Sequence, residues 1–229
     1  MTEQVKKRAR KNPVKFDITL SQEQKEAKAI MLRSTCTVLD GSPGTSKSTL
    51  AMNVALSLLF KGDIQKIYLT RPPIELDQFG NNGALPGDKD EKNLVYMQPF
   101  LDAIKSNYSR SESKRARMEK AWKEKEIEFC PLPFIRGRNL GTNTEKCVVI
   151  VDEGQSCSPS TMYAILTRLG EGSKMIITMD AKQSDHKGRS GGEVLSKIVN
   201  RVDGLEEVSL THNYRSKFVQ QINDTWFTV

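Results

Sequence analysis

Histidine is scarce in this chain of 229 residues, which holds only His186 and His212. The four cysteines, Cys36, Cys130, Cys147 and Cys157, are spaced by 94, 17 and 10 positions and form no CxxC pair. Thiols so few and so separated disfavour a disulfide framework, and with two histidines to complete a set they disfavour a zinc site. No run approaches the ~20 consecutive apolar residues a helix needs to cross a bilayer, and no apolar signal core follows the basic N-terminus. A cytoplasmic protein with no membrane partner is therefore expected. Internal repeats are missing, as is any Pro- or Gly-rich linker between balanced halves. One domain is expected over residues 16–229, after a basic tail over residues 1–15.

What is present is a globular composition. Hydrophobic residues make up 37% and charged residues 28%, enough to bury a core under a solvated surface, which excludes disordered, collagenous and coiled-coil chains. The net charge is +7, of which Lys6, Lys7, Arg8, Arg10, Lys11 and Lys15 against Glu3 contribute +5. Such an arm either gains affinity for nucleic acid by releasing counterions or is a solvated end or localisation address. A second block, residues 105–126, sets eight Lys or Arg against four Glu. It reads as a helix, either exposed and laced by i,i+4 pairs or a basic strip beside a nucleic-acid path.

Hydrophobic periodicity divides the rest into alternating elements. Residues 21–33, 49–60, 94–106, 111–126, 158–169 and 190–200 read as helices, and residues 35–40, 66–70, 147–151, 174–179 and 206–210 as strands. Strands that alternate with helices predict an α/β fold with a mainly parallel sheet covered on both faces, and the unbroken apolar run CVVIV suits its centre. Residues 71–93, with three prolines and three glycines, read as a long loop, more often functional than idle.

Between a predicted strand and a predicted helix lies the run Gly41, Ser42, Pro43, Gly44, Thr45, Ser46, Lys47, Ser48, with Thr49 opening the helix. Here backbone N–H groups and a helix N-terminus can hold phosphates, Lys47 can reach the β and γ phosphates, and the Ser48 hydroxyl can ligate Mg²⁺. The usual pattern has Gly where Ser46 stands, so the run also fits a plain strand–turn–helix joint. The apolar strand at 147–151 runs straight into Asp152 and Glu153. There Asp152 can hold the Mg²⁺ shell and Glu153 can orient or deprotonate an attacking water, or the two can cap the next helix. Gln183, beyond the strand at 174–179, is placed either to sense a γ phosphate or in a simple turn. Arg215, in LTHNYRS, either stabilises a transferring phosphoryl group or is a surface arginine.

Taken together the residues resemble the PhoH-like family of ATPases, relatives of the superfamily 1 helicases, over about residues 19–223. Besides GSPGTSKS and VDEGQ, the resemblance rests on IYLTRP (67–72), LPGD (85–88) with Glu91 and Lys92, PFIRGR (133–138), LTRLG (166–170) and GSKM (172–175). Ser46 for Gly and Gly154 for Ala depart from the family pattern. The resemblance implies a RecA-like domain that binds and hydrolyses ATP with Mg²⁺, with Gln24 reading adenine and Gln183 coupled to the γ phosphate. It also implies that Thr70 and Arg71, joined by Arg136 and Arg138, lie along single-stranded nucleic acid, RNA ahead of DNA. The chain ends 14 residues after Arg215, where the helicases open a second domain. An arginine finger is therefore expected from a neighbouring copy in a hexameric ring or from the domain's own edge, with Arg215 the first candidate and Arg168 the second. The rival expectations are a nucleotide-gated or catalytically weak module acting on a protein or nucleic-acid partner, and a P-loop phosphotransferase.

Overall fold

The structure, a computed structural model, describes residues 18–72, 89–108, 112–135, 137–181 and 189–226. The basic tail therefore lies outside the described residues, as do Arg136, Gln183 and the LPGD run. Ser21 starts helix α1 (Gln22–Arg33) through a closed capping box: its hydroxyl accepts the Gln24 N–H at 3.3 Å, and the Gln24 side-chain oxygen accepts the Ser21 N–H at 3.0 Å. Strand β1 (Cys36–Asp40) leads through the GSPGTS turn into α2 (Lys47–Lys61), then β2 (Lys66–Thr70), α3 (Lys89–Tyr108) and α4 (Glu112–Lys123). There follow β3 (Ile127–Phe129), α5 (Leu132–Ile135), β4 (Cys147–Val151), α6 (Pro159–Leu166), β5 (Lys174–Met179), α7 (Gly191–Ile198), β6 (Leu205–Ser209) and α8 (Lys217–Trp226).

The six strands form one sheet in the order β3-β2-β4-β5-β1-β6, every neighbouring pair parallel. This is the all-parallel α/β arrangement expected of a RecA-like domain. Side chains alternate along each strand, so each face builds its own core. Val148 and Ile150 of β4, with Leu39 and Ile176, pack under Leu50, Leu56, Phe100 and Met118 of α2, α3 and α4. Val149 and Val151, with Val38 and Ile177, pack under Met162, Ile165 and Leu195 of α6 and α7. Both faces are covered, which is why β4 is continuously apolar instead of alternating.

Helix α2 is buried without interruption from Leu50 to Phe60, and the Asn53 amide within that span has to be satisfied internally. Asn53 accepts the Lys28 ammonium at 2.9 Å and donates to Asn107 Oδ1 at 2.8 Å, while Asn107 donates to the Ala103 and Thr49 carbonyls at 2.9 and 3.2 Å. The network pins α1 and α3 to the helix that carries Lys47. All four cysteines are buried and unpaired. Burial pushes the Cys36 and Cys157 thiols up to about 12 and Cys147 up to about 11, which leaves them unreactive packing residues.

Several elements differ from the sequence expectation. Helix α3 begins at Lys89, inside the span read as loop, because the charged run before Asn93 is helix-compatible once the prolines at 72, 73 and 86 are passed. Strand β3 has only three residues, too few to show a period, and α5 and α8 were not anticipated. The basic block becomes the end of α3 and all of α4, whose Met118 and Ala121 are buried. Two of its basic residues are locally paired, Arg117 with Glu126 at 2.8 Å and Lys120 with Glu124 at 3.6 Å, and Arg117 covers the Phe60 ring at 4.6 Å.

Candidate functional site

The C-terminal ends of β1, β2, β4 and β5 meet at one edge of the sheet, where parallel α/β folds place their ligands. The turn after β1 is shaped by backbone conformations that side chains rarely adopt. Gly44 has φ +94°, and a Cβ there would lie 2.5 Å from Asn213 Oδ1 and 2.7 Å from Arg215 Cγ. Ser46, at φ 65° and ψ 27°, is left-handed and makes no side-chain capping bond to α2. The first-turn N–H groups of α2 thus face the turn without a side-chain cap, the arrangement that receives an anion. Glycine would relieve about 1–2 kcal/mol of left-handed strain at 46 and return part of it as chain entropy in the unfolded state. Ser46→Gly is expected to change stability by under ~1 kcal/mol, whereas Ser46→Val, β-branched at the same φ, should cost ~2 kcal/mol or more; urea unfolding midpoints measure both.

Lys47 folds over this turn, its ammonium donating to the Gly41 and Ser42 carbonyls at 2.5 and 3.1 Å. Burial lowers its pKa below the usual lysine value, against the opposing pull of the Asp180, Glu153, Asp152 and Asp40 carboxylates. Facing it across the end of β5 is the acidic pair that terminates β4. Asp152 Oδ1 accepts the Ser48 hydroxyl at 2.8 Å and the Thr178 hydroxyl at 2.5 Å. Glu153 sits in the left-handed region at φ 56°; its Oε1 accepts Arg71 Nη2 at 3.1 Å and its Oε2 accepts Gln155 Nε2 at 2.5 Å. Gln155 Oε1 in turn accepts the Asp180 N–H at 3.1 Å, tying the end of β4 to the end of β5. At Gly154 a Cβ would stand 2.6 Å from Ile177 Cγ2, so glycine lets this turn lie directly on β5.

Between the two halves is a cleft of about 670 Å³ whose lining includes Lys47, Ser48, Glu153, Asp180, Tyr214 and Arg215. Of the residues singled out in the sequence, Pro43, Gly44, Ser46, Lys47, Ser48, Thr49, Asp152, Glu153 and Arg215 all line it, and Gly41, Ser42 and Thr45 complete the turn behind them. Arg215 reaches the cleft of its own chain, because the segment after β6 folds back over the turn. Asn213 Nδ2 donates to the Pro43 carbonyl at 2.9 Å, the Tyr214 N–H to Gly44 at 3.0 Å, and the Arg215 N–H to Asn213 Oδ1 at 2.8 Å.

Other expected residues stand elsewhere. Gln24 is buried in its capping box and is not on the cleft lining. Its neighbour Glu23 holds the Thr211 and His212 backbone; burial raises the Glu23 pKa, but those hydrogen bonds more than offset it and leave the carboxyl below its usual value. Arg168 is exposed, and its carbonyl accepts the Leu140 N–H at 3.0 Å, on the segment that enters β4 from the opposite sheet edge. Thr70 is fully buried. Arg71 is turned inward onto Asp152 and Glu153, and Arg138 pairs with Glu128, which also holds Lys66 at 2.7 Å. The sequence did not single out Thr178, Asn213 or the inward role of Arg71. A Thr or Asn in a strand or loop carries no mark of the carboxylate or carbonyl it will meet.

The PhoH-like protein family model matches residues 18–226. The PhoH-like protein of Bacillus subtilis (strain 168) is 39% identical over 189 residues, covering 82% of this chain and 56% of that one. The PhoH-like protein of Synechocystis sp. is 37% identical over 167 residues, covering 72% and 48%. Protein PhoH of Escherichia coli (strain K12) is 32% identical over 171 residues, covering 74% and 45%. The chain thus spans about half the length of the curated relatives it matches. Among solved structures, the Pif1 helicase from Candida albicans aligns at 19% identity and a TM-score of 0.48, covering 92% of this chain and 44% of that one. A Bacteroides Pif1 bound to ssDNA aligns at 14% and 0.43, covering 91% and 46%. At these scores neither neighbour adds to the fold, which rests on the strand order described above.

Proposed function

The chain belongs to the PhoH-like family, and on that premise we propose that it is an ATPase that binds ATP with Mg²⁺ in the cleft, hydrolyses it, and couples the reaction to single-stranded nucleic acid. The observation that carries the reading is the meeting of two sequence-distant groups at one sheet edge: the Ser48 hydroxyl, at the start of α2, lies 2.8 Å from the Asp152 carboxylate at the end of β4. Both are hard oxygen donors. Among the described residues no group of three or more His, Cys, Asp or Glu forms a metal cage. That donor set fits Mg²⁺, which takes one or two protein ligands and fills its shell from phosphates and water. Ser48 and Asp152 would hold the ion, which when bound neutralises charge on the phosphate oxygens.

The residues of the chain then divide the work. The turn from Gly41 to Ser46 and the first N–H groups of α2 bind the phosphates, and Lys47 exchanges the Gly41 and Ser42 carbonyls for phosphate oxygens. Glu153 orients a water and accepts its proton as the water attacks the γ phosphate, giving ADP and inorganic phosphate. Arg215, fixed beside the turn by Asn213, stabilises the charge on the transferring group from within the same chain. Gln183 monitors the γ phosphate, and Gln24 reads the adenine only once its side chain leaves the Ser21 capping box that holds it off the cleft lining. Residues 16–229 act as one RecA-like domain, in the cytoplasm, with the basic tail at residues 1–15 as an electrostatic arm. Copies assemble into a hexameric ring in which Arg168, at the sheet edge away from the cleft, is available to a neighbour. RNA is the preferred strand.

Calorimetric titration of Mg²⁺ with a non-hydrolysable ATP analogue tests the reading at its base. Wild type is expected to bind, and Lys47→Ala to lose at least about tenfold in affinity, as when one charge-assisted phosphate contact is removed. Equal heats for the two proteins would overturn the assignment of the cleft.

A further inference from the structure

Arg71 is the residue after β2, and β2 lies beside β4 in parallel register, Thr70 opposite Val151. The Asp152 N–H donates to the Thr70 carbonyl at 2.9 Å, so the end of one strand is held against the acidic end of the other. Pro72 disfavours the helical conformation at Arg71. The guanidinium therefore projects over the two carboxylates, with Nη2 3.1 Å from Glu153 Oε1 and Nη1 3.6 Å from Asp152 Oδ2, at 13% side-chain exposure. With Gln155 on the other oxygen, both oxygens of Glu153 accept donors from the protein. The clamp is incomplete on the Arg71 side. Among the described residues, Arg71 Nε is buried without a hydrogen-bond partner, and so is the hydroxyl of the adjacent, fully buried Thr70. A buried donor left unpaired is costly, and the planar guanidinium fork matches a phosphodiester, whose oxygens can satisfy several of its N–H groups at once.

Building on the ATPase reading above, we propose that Arg71 is a latch: it holds Glu153 away from the attacking water in the resting cleft and releases it when the phosphates of single-stranded nucleic acid draw the guanidinium off. Arg71 is thus a positioning residue that acts through Glu153, and turnover is coupled to the strand at this one side chain.

The test is phosphate release at varied Mg-ATP, with and without poly(U) RNA or oligo(dT), by wild type, Arg71→Gln and Arg71→Lys. Wild type should be slow alone and stimulated by at least one of the two polymers. Arg71→Gln should turn over about tenfold faster without nucleic acid, the change expected when one charge-assisted hydrogen bond no longer opposes release, with KM for ATP unchanged and stimulation lost. Arg71→Lys keeps a positive charge beside the acidic pair but cannot span both carboxylates; it should also show a raised basal rate, and it decides the matter if Arg71→Gln does not fold. A basal rate unchanged or lowered in the variants, or stimulation retained, overturns the latch and leaves the ATPase reading standing. A wild type that hydrolyses ATP but ignores both polymers overturns the latch and the coupling to single-stranded nucleic acid, and leaves ATP hydrolysis standing. Wild type without any hydrolysis overturns the ATPase reading and the latch with it.

Discussion

Glu153→Gln is expected to lower steady-state phosphate release by a factor of about 10²–10⁴, the usual contribution of a positioned general base, while leaving binding of the Mg-ATP analogue near wild type. The substitution is nearly isosteric. A glutamine oxygen can still accept Arg71 Nη2, and the rest of the cleft, including the Ser48–Asp152 contact at 2.8 Å, is untouched. What is lost is the negative charge and the proton-accepting oxygen. The new amide NH₂ would also face Gln155 Nε2, which now donates to Glu153 at 2.5 Å, so one of the two amides has to turn. Gln155 is not free to do so without cost, because its Oε1 holds the Asp180 N–H at 3.1 Å. The split between lost turnover and kept affinity distinguishes this variant from Lys47→Ala, which removes a phosphate contact and should lose both. Phosphate release at wild-type rate by Glu153→Gln would remove the carboxylate from the mechanism.

Ile150→Ala should produce the largest loss of stability, about 2–5 kcal/mol, through the transfer cost of the removed carbons and the cavity left behind. Ile150 is fully buried in β4, paired with Ile176 of β5 and Leu69 of β2 in a sheet covered on both faces, so little can move in to fill the space. For a chain of this size each kcal/mol corresponds to about 2–4 °C in melting temperature, so a calorimetric scan should register a drop of ~5–15 °C. Ile150→Val, which removes one methyl group, should cost only about 0.5–1.5 kcal/mol. The position also matters for chemistry, because Asp152 lies two residues on. A melting temperature within ~2 °C of wild type for the alanine variant would show that β4 is not the central strand described here.

Much of the architecture can be read along the chain, because its causes are local. The alternation of β-rich and helical periods, the glycine-bearing turn ahead of Lys47 and the carboxylates that close an apolar strand are all neighbours in sequence. They need no partner to be recognised. The short elements escape this reading: three residues of β3 and four of α5 are too few to display a period.

The candidate site is legible only in part. Which strand lies beside which is set by how the crossover helices pack, and that placed β5 between β1 and β4, so that Thr178 reaches Asp152 across 26 positions and Ser48 reaches it across 104. The same packing turned Arg71 inward onto Glu153 and brought Arg215 back over its own turn, two placements that no spacing in the chain announces. Hydrogen-bonding type and charge are written residue by residue. Distance between remote residues emerges only when the sheet is assembled and each polar group is forced to find an acceptor or donor within reach.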